Sequence, residues 1–173
     1  MMLWVRCLKS LGNKKSMTFD EIIDNVLESE GGYVNDKDDA GGETNMGISK
    51  KAYPDLDIKN LTRNAAKQLY YEDYWTPSKA EQLPNQLREV YFDMVVNFGK
   101  RGAAKVLQQA CNGKNSYDIA VDGGIGPATL GACKNLEPER LRAYRILKFA
   151  NIVFKKPSQE KYWFGWFRRA LRV

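Results

Sequence analysis

Apolar residues return at helical spacing along most of the chain, and that period narrows the choice of fold more than any other feature. Phe19, Ile22, Ile23, Val26 and Leu27 stand at i, i+3, i+4, i+7 and i+8, one stripe of an amphipathic helix. Thr18 and Glu21 ahead of it form a capping box, hydroxyl and carboxylate each taking a backbone N–H that the first turn leaves open. Gly31-Gly32 stops this helix. Thr62 caps a further one through Ala65, Leu69 and Tyr70, which leads into Tyr71, Tyr74 and Trp75 before Pro77. Leu87, Val90, Tyr91, Met94, Val95 and Phe98 make another stripe, ended by Gly99. A short helix is expected around Ala103 to Ala110, then a tight turn from Asp122 to Thr129 feeding another helix, then a basic helical stretch from Pro138 onward. Only from Tyr33 to Ser49 does the pattern change, to loop and short extended structure. The alternating strands that a parallel sheet needs are missing. The expected class is mainly α, with a small β or loop region after the first helix and a helical C-terminal lobe.

The 173 residues fit one domain or two small lobes sharing a core, and 43% hydrophobic content suffices for an interior. A formal charge of +6 points to a polyanionic partner: nucleic acid, an envelope polymer or a membrane surface. There is no histidine at all. Zinc hydrolases need imidazole ligands and Ser or Cys hydrolases usually need a His base, so carboxylate chemistry is what remains for hydrolysis. Neither a metal nor a cofactor is expected. The acids between Asp36 and Glu43 do not meet the spacing of a calcium-binding EF-hand loop. Cys7, Cys111 and Cys133 are odd in number and far apart, and read as reduced thiols. Residues 1–16 lack a signal-peptide apolar region and cleavage site, and no segment nears the roughly 20 apolar residues of a membrane span. Synthesis in the cytoplasm is expected.

Glu30 lies eleven positions after Phe19, which at about 100° per residue returns it to within roughly 20° of the first stripe. Two readings follow: a carboxyl aimed at the interior that holds its proton, as a general acid must, or a last-turn glutamate facing water. Asp93 and Asn97, one helical turn apart, are either a solvated edge or one wall of a groove. Tyr33, Tyr74 and Trp75 offer faces on which a sugar could stack, or pack in the core. For Trp163 and Trp166 packing is the reading preferred.

Glu30-Gly31-Gly32-Tyr33-Val34-Asn35-Asp36, followed by Asp39-Ala40-Gly41-Gly42-Glu43-Thr44-Asn45-Met46-Gly47-Ile48-Ser49, resembles the signature of glycoside hydrolase family 108, the phage-type N-acetylmuramidases. Tyr74-Trp75, Leu83-Pro84 and Phe92-Asp93 with Asn97 and Gly99 resemble its later landmarks. The second half, with Leu107-Gln108, Asp122-Gly123, Gly126-Pro127, Thr129 and Gly165-Trp166, resembles a small helical peptidoglycan-binding module. The resemblance implies a lysozyme-like fold and cleavage of the β-1,4 bond between N-acetylmuramic acid and N-acetylglucosamine, for host lysis or for wall remodelling during protein release. It implies Glu30 as catalytic acid. More distant analogy with phage lysozymes adds Asp39 and Thr44, although the interval between these two is one residue shorter here, and Asp36 and Asp38 are rivals to Asp39. Tyr33, Asn45, Tyr74, Trp75, Asp93 and Asn97 are placed with the substrate-binding residues. The expected division is an extension at 1–16, a catalytic region at 17–105 and a peptidoglycan-binding region at 106–173, packed as one globule.

Peptidoglycan glycan strands are the expected partner, with action in the periplasm or cell wall, a holin as export partner and a monomeric state. The basic C-terminal stretch could also touch anionic membranes or wall polymers. Nucleic acid is not expected, because the cations are not set in a recognisable binding motif. A lytic transglycosylase, which also needs one Glu and no His, and a wall-binding module without catalysis are the alternatives.

Overall fold

The computed structural model describes residues 17–35 and 42–173. Cys7, Asp36, Asp38, Asp39 and the extension at 1–16 lie outside the described residues. Helix α1 (Phe19–Glu30) starts on its capping box: the Thr18 N–H donates to Glu21 Oε2 at 2.9 Å and the Glu21 N–H to Thr18 Oγ1 at 3.4 Å. Its stripe of Ile22, Ile23, Val26 and Leu27 is buried. Phe19 begins an aromatic cluster, with ring centroids 5.4 Å from Trp75 and 5.9 Å from Phe92.

The chain next forms an antiparallel hairpin of β1 (Thr44–Asn45) and β2 (Ile48–Ser49), with Thr44 opposite Ser49 and Asn45 opposite Ile48. Its two loop residues, Met46 and Gly47, both have positive φ (49° and 76°), as a tight hairpin requires when its turn must follow the strand twist. Helix α2 (Arg63–Tyr70) is capped by Thr62 and runs without interruption into a π-helical turn, Tyr71–Trp75. The short α3 (Thr76–Ser78) follows. Arg63 and Lys67 of α2 both reach Asp24 of α1, at 2.6 and 2.9 Å.

Helix α4 (Asn85–Asn112) passes through most of the interior. Gly99 ends the stripe that began at Leu87, as expected, and a second helical arm follows it directly. At φ 71° and ψ 163° Gly99 breaks the hydrogen-bond ladder, and the chain resumes helical geometry at once in a new direction. The expected short helix is therefore the second arm of α4, burying Ala103, Ala104, Val106, Leu107, Ala110 and Cys111.

Helix α5 (Pro127–Ala132) follows the turn at 122–129, which the buried Gln108 organises. Its amide donates to Asp122 Oδ1 (2.7 Å) and Gly124 O (2.9 Å), and its carbonyl accepts from the Gly123 N–H (2.8 Å). Helix α6 (Pro138–Lys155) and helix α7 (Trp163–Arg172), joined by a 3-10 turn at Pro157–Tyr162, complete the C-terminal part. Trp166 stacks on Phe149 with ring centroids 5.0 Å apart. Cys111 and Cys133 are free thiols, and burial pushes them up to about 12 and about 11, so neither is a nucleophile near neutral pH. The expected mainly helical class with a small β region holds.

Candidate active site

Glu30, the last residue of α1, is neither an unpartnered buried acid nor a solvated one. Its side chain is 20% exposed, and Arg169 of α7 donates from Nη2 to its Oε1 at 2.6 Å. Arg169 is in turn anchored on Asp93 of α4, with Nε 3.1 Å from Oδ1 and Nη2 2.7 Å from the same oxygen. Asp93 is fully buried and also pairs with Arg145 of α6, which is equally buried. Four groups thus alternate in sign: Glu30, Arg169, Asp93, Arg145. Two like charges never meet without an opposite one between them, and this arrangement offsets the cost of taking each out of water.

The two guanidiniums are set differently. Burial draws Arg145 down from its ordinary value, and the charge of Asp93 offsets only part of that. Burial pulls Arg169 the same way, but its hydrogen bonds and charge interactions with Asp93, then Glu30, outweigh it and hold it above the usual range. Arg145 Nε and Nη1 have no hydrogen-bond partner among the described residues, and its guanidinium lies 5.7 Å from the centre of the Phe149 ring.

The remaining boundary of Glu30 comes from the hairpin and α2. A Cβ at position 47 would lie 3.1 Å from Glu30 Oε2 and would overlap the Tyr70 hydroxyl, so only glycine leaves room for the carboxyl beside the turn. The Tyr70 hydroxyl donates to Met46 O at 3.2 Å, and burial, then the charge of Glu30, keeps it protonated. Tyr74 lies beside Tyr70, ring centroids 5.1 Å apart. Arg169 also lines an open cavity of about 580 Å³ along α7, with Gly165, Arg168, Leu171 and Arg172. A second cavity, of about 490 Å³, is bounded by Lys79, Lys100 and the 122–129 turn, where Lys79 Nζ donates to Ile125 O at 2.9 Å.

Of the residues expected at the site, Glu30 and Asp93 are brought together through Arg169, and Tyr74 joins them through Tyr70. Asn97 is half-buried and donates from its amide to Asp93 O at 2.9 Å, back along its own helix. The Thr44 hydroxyl is engaged with Gly42 O at 3.4 Å. Asn45 is buried and donates to Ile58 O at 3.1 Å. The Tyr33 ring is exposed, its hydroxyl donating to Glu43 at 2.7 Å. Trp75 is buried against Phe19 and Phe92, with ring centroids 5.4 and 5.1 Å away. Sequence reasoning missed Arg145 and Arg169. A signal for the first was present: Arg145 falls midway between Leu141 and Phe149 on the buried stripe of α6, a cation where an apolar residue is due.

Two family models match this chain, one after the other. Residues 23–99 match the family model of Glycosyl hydrolase 108, and residues 102–171 match that of the Predicted Peptidoglycan domain. Among solved structures, SagA of Brucella abortus is similar: 28% identity, a TM-score of 0.71, and coverage of 89% of this chain and 90% of that one. No curated protein matches the chain. The chain therefore carries a glycosyl hydrolase 108 domain followed by a peptidoglycan domain, and it is a glycoside hydrolase directed at peptidoglycan.

Proposed function

We propose that the chain cleaves the β-1,4 bond between N-acetylmuramic acid and N-acetylglucosamine, with Glu30 protonating the departing glycosidic oxygen. The observation that carries this reading is the division of labour on the Glu30 carboxyl: Oε1 is held by Arg169, while Oε2 faces the hairpin turn at Gly47. A carboxyl so held can take and give a proton on its second oxygen without losing its position. Asp93 anchors Arg169 through both Nε and Nη2, so the guanidinium stays in place when the charge on Glu30 changes. As the bond to the departing oxygen breaks, positive charge develops on the sugar carbon, and a water molecule completes hydrolysis.

For the second group we propose Asp39, supported by the order Glu30, Asp39, Thr44 in the sequence. A separation of the two carboxyls of about 6.5 to 9.5 Å would give inversion, and one nearer 5 Å retention. The described carboxylate that shares a partner with Glu30 is Asp93, and two arginines hold it. That favours a second reading, in which the sugar's own C6 hydroxyl attacks and no second carboxylate is needed, as in a lytic transglycosylase.

Mass spectrometry of digested peptidoglycan separates the two. Reducing N-acetylmuramic acid ends are expected, and 1,6-anhydro ends would replace hydrolysis by the second reading. Glu30→Gln should lower turnover by about 10²- to 10⁴-fold. A folded variant that still lyses walls at the parent rate would remove Glu30 from the chemistry.

A further inference from the structure

The outward face of α6 and the turn behind it are built unlike the rest of the surface. Among the described residues ten large apolar side chains are exposed, and five of them fall between Leu147 and Leu171. Leu147 and Phe154, two helical turns apart on α6, are 53% and 86% exposed, and Tyr162 and Phe164 are 47% and 68% exposed. The same stretch of chain carries Lys148, Lys155, Lys156 and Lys161, all exposed, against the single acid Glu160. Among the described residues none of the four lysines has a carboxylate partner; Lys161 Nζ instead lies 4.9 Å from the centre of the Tyr162 ring. The inward face of the same helix buries Leu141, Arg145 and Phe149, so α6 is packed on one side and open on the other.

We infer that this face docks on an anionic phospholipid bilayer, lying in its interface. Apolar side chains set next to lysines are what such an interface accepts together: the rings and the leucine enter the acyl boundary while the ammonium groups stay among the phosphates. A hydrophilic polyanion would satisfy the lysines and leave Phe154 and Phe164 in water, so charge complementarity alone does not explain the face. The mode is peripheral, since no helix of the described residues is long and apolar enough to cross a membrane. Docking here would hold the enzyme at the boundary between bilayer and wall without using any residue of the Glu30 site.

Sedimentation of the full chain with vesicles tests this independently of catalysis. The protein should pellet with vesicles of phosphatidylglycerol in phosphatidylcholine at low salt and remain in solution with phosphatidylcholine alone. Phe154→Ser with Phe164→Ser should lower the partition coefficient about tenfold or more, because two aromatic insertions are lost. Lys155→Gln with Lys156→Gln should lower it comparably, and more steeply as salt is reduced. All these positions are exposed, so melting temperature and hydrolysis of soluble glycan fragments should match the parent. Absence of binding by the parent chain to anionic vesicles overturns the inference. So does binding that the two phenylalanine changes leave intact, which would mean that the cations act alone, as toward any polyanion.

Discussion

The two ends of Arg169 lie in different surroundings. At Asp93 the environment is sealed: the carboxylate is fully buried and held by two arginines. At Glu30 one oxygen is held and the side chain is 20% exposed. One guanidinium thus spans a closed anchor and a partly exposed carboxyl. Under the proposed role of Glu30, its carboxyl is kept in place by an anchor buried away from solvent.

The most severe way to break this contrast is at the sealed end. Asp93→Ala leaves Arg145 buried without its counter-ion and should cost about 3–5 kcal/mol of stability, read as a fall in the denaturant midpoint. A cost under about 1 kcal/mol would show that the buried pair is not what holds α4 and α6 together. Arg169→Met acts on the bridge itself: kcat should fall by up to about 100-fold with less change in KM, since position rather than affinity is lost, and Arg169→Lys should recover part of it. An equal loss in both variants, all of it in KM, would make Arg169 a substrate contact instead. At the Glu30 end Gly47→Ala forces a side chain into a positive-φ position at a cost of about 1–2 kcal/mol. The new methyl group also overlaps the buried Tyr70 hydroxyl and crowds Glu30 Oε2, so both stability and turnover should fall.

The smallest expected effect comes from an exposed counterpart, Glu137. Lys114, its own backbone N–H and Arg140 hold it down to about 2 from an ordinary 4.5. A lowered carboxyl contributes stability that is present above about 4.5 and lost as pH falls towards 2. Melting curves of Glu137→Gln and the parent should therefore differ slightly above that window and converge at its acid end, solvent screening keeping the difference small. Curves that diverge further on acidification would contradict the sign.

What could be read in the sequence was local. The cap of α1 and its stripe depend on residues within one helix, and both are found as spacing required. The arrest at Gly99 was also legible: its backbone leaves helical geometry, and the expected short helix follows it in a new direction. Asp93 as part of a solvated edge was open from the sequence and is excluded by its burial. Its partners lie 52 and 76 residues further on, and no local pattern encodes a pairing over that distance. Trp75 shows the converse: an aromatic that could have faced a sugar is buried against Phe19 and Phe92, which only tertiary packing reveals.

The bend at Gly99 has a practical meaning for anyone who would shuffle such proteins. The two stretches matched by family models meet beside it, at residues 99 and 102, where the two arms of α4 join. That seam invites cutting, yet a fragment ending there would forfeit both cations that neutralise its interior aspartate. A chimera receiving a foreign second half would inherit the Glu30 carboxyl without the Arg169 that holds it. Recombination at this border succeeds only if the incoming piece brings an arginine to each of the two places.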